Sequence, residues 1–402
     1  MDSPDAARAP VRALPPAIWA MGFGSLFMDM SSELIHSLLP VFMVSVLGTS
    51  VVAVGVLEGM AEATASIVKV FSGVLSDHFG KRKPLMIAGY ALAAITKPIF
   101  PLADSVAWLF GARFVDRVGK GIRGAPRDAL VADLTEPRLR GAAYGLRQAL
   151  DSVGALLGPL LAVLLMLVYA DQMRVVLWFA AIPAFIAVAL LIVFVREPER
   201  QPQLAARKRL SWSDARLLPR RYWSVVLLGA VFTLARFSEA FLVLRAQDAG
   251  LQVSFVPMVM IAMNITYSAA AYPAGAAADR LPARTLLRVG LAFLIAADLV
   301  LAFAASPLGV LAGAALWGVH MAATQGLLAK LVADTAPAAL IGSGFGIFNL
   351  VTGAVLLLAS AIAGVLWSQL GAAATFLAGA CFALLCVLGL SMLDSTASPH
   401  IE

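Results

Sequence analysis

The stretch RFVDRVGKGIRGAPR (113–127) places Arg113, Asp116, Arg117, Lys120, Arg123 and Arg127 within about 120° of arc on an α-helix that turns about 100° per residue. The opposite arc carries Phe114, Val115, Val118, Ile122 and Ala125. Two upstream segments supply carboxylates in the same fashion. Ser25, Asp29, Ser32, Glu33, His36 and Pro40 share one helical face, and Gly55, Glu58, Glu62, Ser66, Lys69 and Gly73 share another. These residue types do two kinds of chemistry without a covalent step. A carboxylate takes up and releases a proton, with burial favouring the neutral acid and a nearby cation favouring the anion. Guanidinium and ammonium groups grip anionic parts of a ligand, and Arg does so through a planar fork. Asp29 and Glu33 are therefore the first candidates for carrying a proton, with Glu58 and Glu62 behind them. Arg117 and Lys120 are the candidate centre of a ligand site, flanked by Arg113, Asp116 and His36. The alternative is that Arg117 or Lys120 neutralises Glu58, Glu62 or Asp29 and fixes helix packing, with Arg123 and Arg127 snorkelling at one helix end.

The elements that hold these residues are set by composition. Of 402 residues, 61% are hydrophobic and 13% charged, whereas soluble domains have about 45–50% and about 25%. An all-α integral membrane protein follows. Apolar stretches of about 20 residues match the length a helix needs to cross about 30 Å of hydrocarbon. Twelve such spans are expected, near 17–45, 51–75, 84–102, 106–130, 141–168, 174–195, 224–247, 253–277, 285–304, 308–331, 341–367 and 371–393. At the bilayer centre each Arg, Lys or Asp costs about 2.5–3.5 kcal/mol on insertion scales, so five cations on the fourth span imply a purpose.

An even number of spans puts both termini on one side. Lys81, Arg82 and Lys83, then Arg138 and Arg140, then the many cations of 196–223, then Arg280 and Arg284 all fall in alternate connections, which the positive-inside rule places in the cytoplasm. The other connections, such as GTS, PLADS, YADQM and ASP, lack Lys and Arg. No cleavable signal pattern precedes the first span, which serves as its own targeting signal. The net charge of +6 mostly expresses this loop asymmetry, and no nucleic-acid partner is expected. Cys381 and Cys386 share the last span and suggest neither disulfides nor a metal centre.

The chain is also an internal repeat. A shift of 201 residues lays LVADLTEPRLRGAAYGL (130–146) on LVADTAPAALIGSGFGI (331–347), and a shift of 202 lays GVLSD (73–77) on GAAAD (275–279). Two six-helix bundles are expected, 1–195 and 224–402, joined by a cytoplasmic linker at 196–223. Parallel six-helix repeats about an axis along the membrane normal are the plan of transporters that hold their ligand near the midplane.

GVLSDHFGKRK (73–83) resembles the loop signature between spans two and three of the major facilitator superfamily, with Gly73, Asp77, Gly80, Lys81, Arg82 and Lys83 in the expected places. GAAADRLPAR (275–284), with Asp279, is a weaker second copy. RVGKG (117–121) is similar to its fourth-span motif, and GALLGP (154–159) to the fifth-span motif Gly-x-x-x-Gly-Pro of proton-driven exporters, although Ala162-Val163 stands where that family has Gly-Gly. The resemblance covers essentially the whole chain. It implies the twelve-helix fold, a drug or metabolite:proton antiporter-like activity, and conformational gating by Gly73, Asp77, Arg82, Arg123, Arg127, Gly154, Gly158, Pro159 and Asp279. The plainer reading of the same glycines is a tight turn and small-residue helix packing.

The second half is expected to grip substrate jointly with the first through Arg236, Glu239, Asn264, Tyr267, Gln325 and Asn349. His320 beside several Met residues is more readily read as packing than as a metal path. With no phosphate-loop motif, direct ATP drive is not expected. The expected function is non-enzymatic: proton-coupled export of a small anionic, zwitterionic or amphipathic organic solute from a bacterial inner membrane by a monomer without cofactor or metal. Its partners are that solute, protons and the lipid bilayer. The alternatives are a proton-driven importer of such a solute, or a membrane sensor or lipid-handling protein of the same fold.

Overall fold

A computed structural model describes residues 14–79, 81–197, 216–278, 280–337 and 340–395, with the side chains of 74, 77–79 and 392–395 left aside. Asp279, the side chain of Asp77 and most of the linker 196–223 therefore lie outside the described residues. The first half is built from α1 (Pro16–Val41), α2 (Val51–Phe79), α3 (Arg82–Thr96), α4 (Ile99–Leu102), α5 (Val106–Leu134), α6 (Arg140–Val168), α7 (Met173–Trp178) and α8 (Ala181–Phe194). The second half has α9 (Arg220–Ala235), α10 (Ala240–Asp248), α11 (Met258–Ala278), α12 (Ala283–Phe303), α13 (Pro307–Thr324), α14 (Leu327–Thr335), α15 (Ile341–Leu370) and α16 (Ala372–Ser395). Among the described residues there is no β-strand.

Among the described residues, ten of the resulting spans are long and apolar enough to cross a membrane. The two remaining long helices, α1 and α5, complete the twelve, and they carry the polar faces read from the sequence. Four expected spans are interrupted. Pro98 has no N–H to donate, and α3 stops just before it to resume as α4. α7 gives way to α8 at Phe179–Ala180. Between α13 and α14, Gly326 adopts φ +75, a left-handed conformation that a Cβ would strain. Between α9 and α10 the chain unwinds at residues 236–238, where the Ser238 amide donates to Ser360 Oγ at 3.2 Å. Carbonyls freed at span ends find side chains. Arg174 Nη1 donates to Pro101 O and Ala103 O, both at 2.8 Å, and Arg245 donates to Leu301 O and Ala304 O.

The chain forms two compact units, residues 1–39 with 64–206, and residues 40–63 with 207–402. The first unit has a core of Ile18, Met21, Met28, Met86, Tyr90, Leu130, Val131, Ala184 and Leu191. That of the second includes Tyr222, Val225, Val226, Val332 and Phe348. Large apolar side chains on α8, including Ile182, Phe185, Ile192, Val193 and Phe194, point outward, as lipid contact requires.

Each unit repeats the same helix contact. A Cβ on Gly89 would lie 2.6 Å from Gly119 O and 2.8 Å from Arg123 Cβ, so α3 and α5 touch backbone to backbone. Gly290, 201 residues further on, faces His320 O and the Thr324 side chain, which are themselves 201 residues beyond Gly119 and Arg123. The shift of 201 seen in the sequence is thus an equivalence of position in space.

Candidate functional site

The fourth span of the first unit, α5, runs as an unbroken helix through Pro126, and its two faces separate as the periodicity predicts. Phe114 and Val115 are exposed on one side, while Arg113, Asp116, Arg117 and Arg123 are almost completely buried on the other. Lys120, on the charged side, is exposed.

α1 meets α5 and the end of α3 as a ladder with one polar contact per turn. Ser25 Oγ accepts from Arg127 Nη1 at 2.9 Å and lies 3.0 Å from the Tyr90 hydroxyl. One turn on, Asp29 Oδ1 is 3.7 Å from Arg123 Nη2, and that guanidinium also lies over the Tyr90 ring at 4.4 Å. Next, Ser32 Oγ accepts from Lys97 Nζ at 3.1 Å, and Lys97 donates to Asp116 Oδ1 at 2.8 Å. Arg113 Nη1 and Arg117 Nε each lie 3.9 Å from the other Asp116 oxygen. Glu33 Oε2 is 3.4 Å from His36 Nδ1, and Arg117 and Lys120 lie near enough to act on its charge. In this geometry Arg123 and Arg127, expected near a helix end, are engaged with α1 rather than snorkelling. The cation nearest Asp29 is Arg123, with Lys120 and Arg127 also close enough to act on its charge, because antiparallel α1 and α5 step past each other four residues at a time.

Three parts of this site lie outside the sequence reading, and two of them are not apparent from residue spacing. Lys97 sits in AAITKPIF and reads as a span-end lysine; only the close approach of α3 to α5 at Gly89 and Gly119 brings it against Asp116. Tyr90 reads as apolar filler, yet it supports both Ser25 and Arg123. On α6, Arg147 Nη1 pairs with Asp151 Oδ2 at 2.7 Å. The signal for that pair was present, since Arg147, Asp151, Gly154 and Gly158 share a helical face. Gly154 and Gly158 lie against α1 itself. A Cβ on Gly158 would stand 2.6 Å from Met30 O and 2.9 Å from Glu33 Cβ, and a Cβ on Gly154 would collide with Leu26 O. The buried Pro159 follows in the same helix.

At the other end of α5, Arg82 Nη1 donates to Asp133 Oδ2 at 2.6 Å, and its backbone amide donates to Glu197. Asp133 belongs to the repeated LVAD sequence, and its contact joins the start of α3 to the end of α5. Gly73 packs loosely on Ala125 in the same region.

The second unit holds the remaining candidates. Glu58 is buried and Glu62 half-buried, one turn apart on α2. Arg236 Nη2 and Glu239 Oε1 lie 3.9 Å apart at the α9–α10 break, and the Tyr267 hydroxyl donates to Gln325 Oε1. Asn264 and Asn349 are half-buried on α11 and α15. His320 is fully buried, with Nδ1 2.8 Å from Gly290 O and its ring beside Phe232 and Trp317. Among the described residues no group of three His, Cys, Asp or Glu could hold a metal.

Residues 21–261 and 238–401 match the family model described as Major Facilitator Superfamily. The chain is 31% identical over 382 residues to an uncharacterized MFS-type transporter of Methanocaldococcus jannaschii, covering 93% of this chain and 94% of that one. It is 27% identical over 210 residues to Multidrug resistance protein 1 of Bacillus subtilis, covering 52% and 53% of the two chains. Among solved structures, the nucleoside transporter NupG superposes with a TM-score of 0.73 at 13% identity over 96% of this chain and 100% of that one. A mutant of the peptide transporter POT superposes with a TM-score of 0.77 at 14% identity over 95% of each chain. At such identities the likeness is one of fold.

Proposed function

The chain belongs to the Major Facilitator Superfamily, and from that premise we propose that it is a proton-coupled exporter of a small anionic, zwitterionic or amphipathic organic solute, working by alternating access. The observation that carries this reading is the Asp29–Arg123 contact. Both groups sit on spans at membrane depth, where an ion pair must justify its desolvation. The Asp29 side chain keeps 29% of its surface open, so a proton can reach it. Protonation removes the anion facing Arg123, and deprotonation restores it. Each change alters how α1 is held against α5, and the rest of the ladder, from Ser25–Arg127 to Ser32–Lys97, moves with that register. Glu33 sits one turn away with 24% of its side chain open and is the second carrier.

Substrate charge is met by the cationic face of α5. Asp116 is one carboxylate among Lys97, Arg113 and Arg117, and the exposed Lys120 stands one turn beyond. A site with this balance suits a carboxylate, phosphate or sulfonate group. The partial likeness to Multidrug resistance protein 1 supports export as the direction.

A thermal-shift panel of organic anions and zwitterions first identifies a ligand, because bound ligand stabilises the folded state by mass action. Proteoliposomes then test coupling. Asp29→Asn or Glu33→Gln is expected to abolish uphill movement of that ligand under a pH gradient while leaving downhill exchange measurable. Full uphill transport by both variants would move the carrier to Glu58 or Glu62.

A further inference from the structure

Lys97 and Asp298 occupy equivalent positions in the two repeats, since the shift of 201 that maps Gly89 onto Gly290 maps Lys97 onto Asp298 and Asp116 onto Trp317. The first unit fills its two positions with a buried ion pair. In the second, an acid replaces the lysine and an indole replaces the aspartate that would face it. Asp298 is fully buried on α12, and neither of its carboxyl oxygens has a hydrogen-bond partner; Trp317 Nε1, also fully buried, has none either.

The surroundings of Asp298 offer little to an anion. On α16 the facing residue is Gly379, where a Cβ would lie 2.7 Å from Asp298 Oδ2, 3.0 Å from the Phe237 ring and 3.3 Å from Ala235 O. On α13 stand Trp317, whose ring packs on Phe237, and His320, whose Nδ1 meets Gly290 O and whose Nε2, like the Asp298 oxygens, has no partner. α11 carries no charged residue, and Lys330 on α14 is exposed. Of the charged groups nearest in the fold, Arg245 is engaged by Leu301 O, Ala304 O and Asp248, while Arg236 and Glu239 lie 3.9 Å apart at the α9–α10 break. A sodium ion would need several oxygen ligands, and this pocket presents two carboxyl oxygens and the Ala235 carbonyl among rings and Cα atoms. An ionised carboxylate with no partner is the costliest occupant of such a place, whereas a neutral acid brings its own hydrogen.

We propose that Asp298 is a proton-binding site of the second unit, occupied as a carboxylic acid and reached through the unwound segment 236–238, which follows Ala235, whose carbonyl lies against the same Gly379 as the Asp298 carboxyl group. Helix ends of this kind, beside a break in a span, are places where transporters hold coupling ions. A role in coupling rests on the proton-coupled reading above; occupancy by a proton does not.

Infrared difference spectroscopy on the purified full-length protein decides occupancy without any ligand. At neutral pH the wild type is expected to show the C=O stretch of a protonated carboxyl in an apolar site, shifted on deuteration, and Asp298→Asn to lose that band. Asn has the shape of the neutral acid, so the variant folds as the parent does. Spectra in which wild type and Asp298→Asn are the same in that region would overturn the proposal. Treatment with dicyclohexylcarbodiimide provides a test on the wild type alone: the acid O–H adds across a C=N bond, and rearrangement leaves an N-acylurea on the side chain. Peptide mass mapping is expected to place this adduct on Asp298 and not on Asp116, equally in sodium and in choline chloride. Protection by sodium but not choline would replace the proton by a metal cation and refute the assignment. If Asp29→Asn and Glu33→Gln both leave transport uphill while the infrared band is present, the coupling scheme at Asp29 and Glu33 fails and the Asp298 site stands.

Discussion

Lys97 and Asp116 illustrate the cost of placing charge inside a span. Each is almost completely buried, and each is satisfied chiefly by the other at 2.8 Å. Removal of one partner from a buried pair costs about 3–5 kcal/mol, whereas replacing both with apolar residues is often neutral. Lys97→Met is therefore expected to lower the thermal midpoint of the purified protein strongly, and Lys97→Met with Asp116→Leu to recover much of the loss. If Lys97→Met is as stable as the parent, the lysine is not balancing the carboxylate. Arg117 poses a different question, because its partner Asp116 is shared with two other cations. Arg117→Lys keeps the charge and loses the planar fork, so it should weaken binding of an identified anionic ligand, read by calorimetry, with little change in stability. Lys120→Gln should weaken it through lost charge alone. Unchanged affinity in both variants would leave these cations with a packing role only.

Between helices, the decisive quantities are register and distance of approach. α1 reaches the charged face of α5 with its own polar residues because α6 lies against its other side at Gly154 and Gly158. Gly158→Leu adds a side chain where Met30 O and Glu33 Cβ already stand within 3 Å, and overpacking of this kind costs about 1–3 kcal/mol. The expected outcome is a lower thermal midpoint together with loss of transport, since α1 carries Asp29 and Glu33. A Gly158→Leu protein with normal stability and transport would show that the helices can separate freely there. The spans themselves were legible because an apolar run of about 20 residues has few fates other than a membrane helix. The charged face of α5 was legible because helical periodicity alone determines it. No interruption was expected within 84–102, although Pro98 carries the signal for one, and none could be read at 236–238, where no Pro or Gly marks the break and the Ser238–Ser360 contact is tertiary. The partnership of Lys97 with Asp116, and of Arg123 with Asp29, depends on how neighbouring helices are registered, which no single helix encodes.

At the scale of the whole molecule, the repeat explains both what the halves share and where they diverge. The same glycine contact recurs at Gly89 and Gly290, while charged positions of the first half have become neutral: Asp116 corresponds to Trp317, Arg117 to Gly318 and Arg123 to Thr324. Loop charge predicts the orientation of the molecule in the bilayer. Lys81 to Lys83, Arg138, Arg140, Arg280 and Arg284 fall in alternate connections with the cation-rich 196–223, and Lys or Arg near span ends is retained on the cytoplasmic side. Ser105, exposed in the connection before α5, should then face outward, and Ser211, in the long basic connection, inward. On a background in which Cys381 and Cys386 are replaced, a membrane-impermeant thiol reagent added to intact cells should label Ser105→Cys and spare Ser211→Cys until the membrane is opened. Labelling of Ser211→Cys in intact cells with protection of Ser105→Cys would invert the protein.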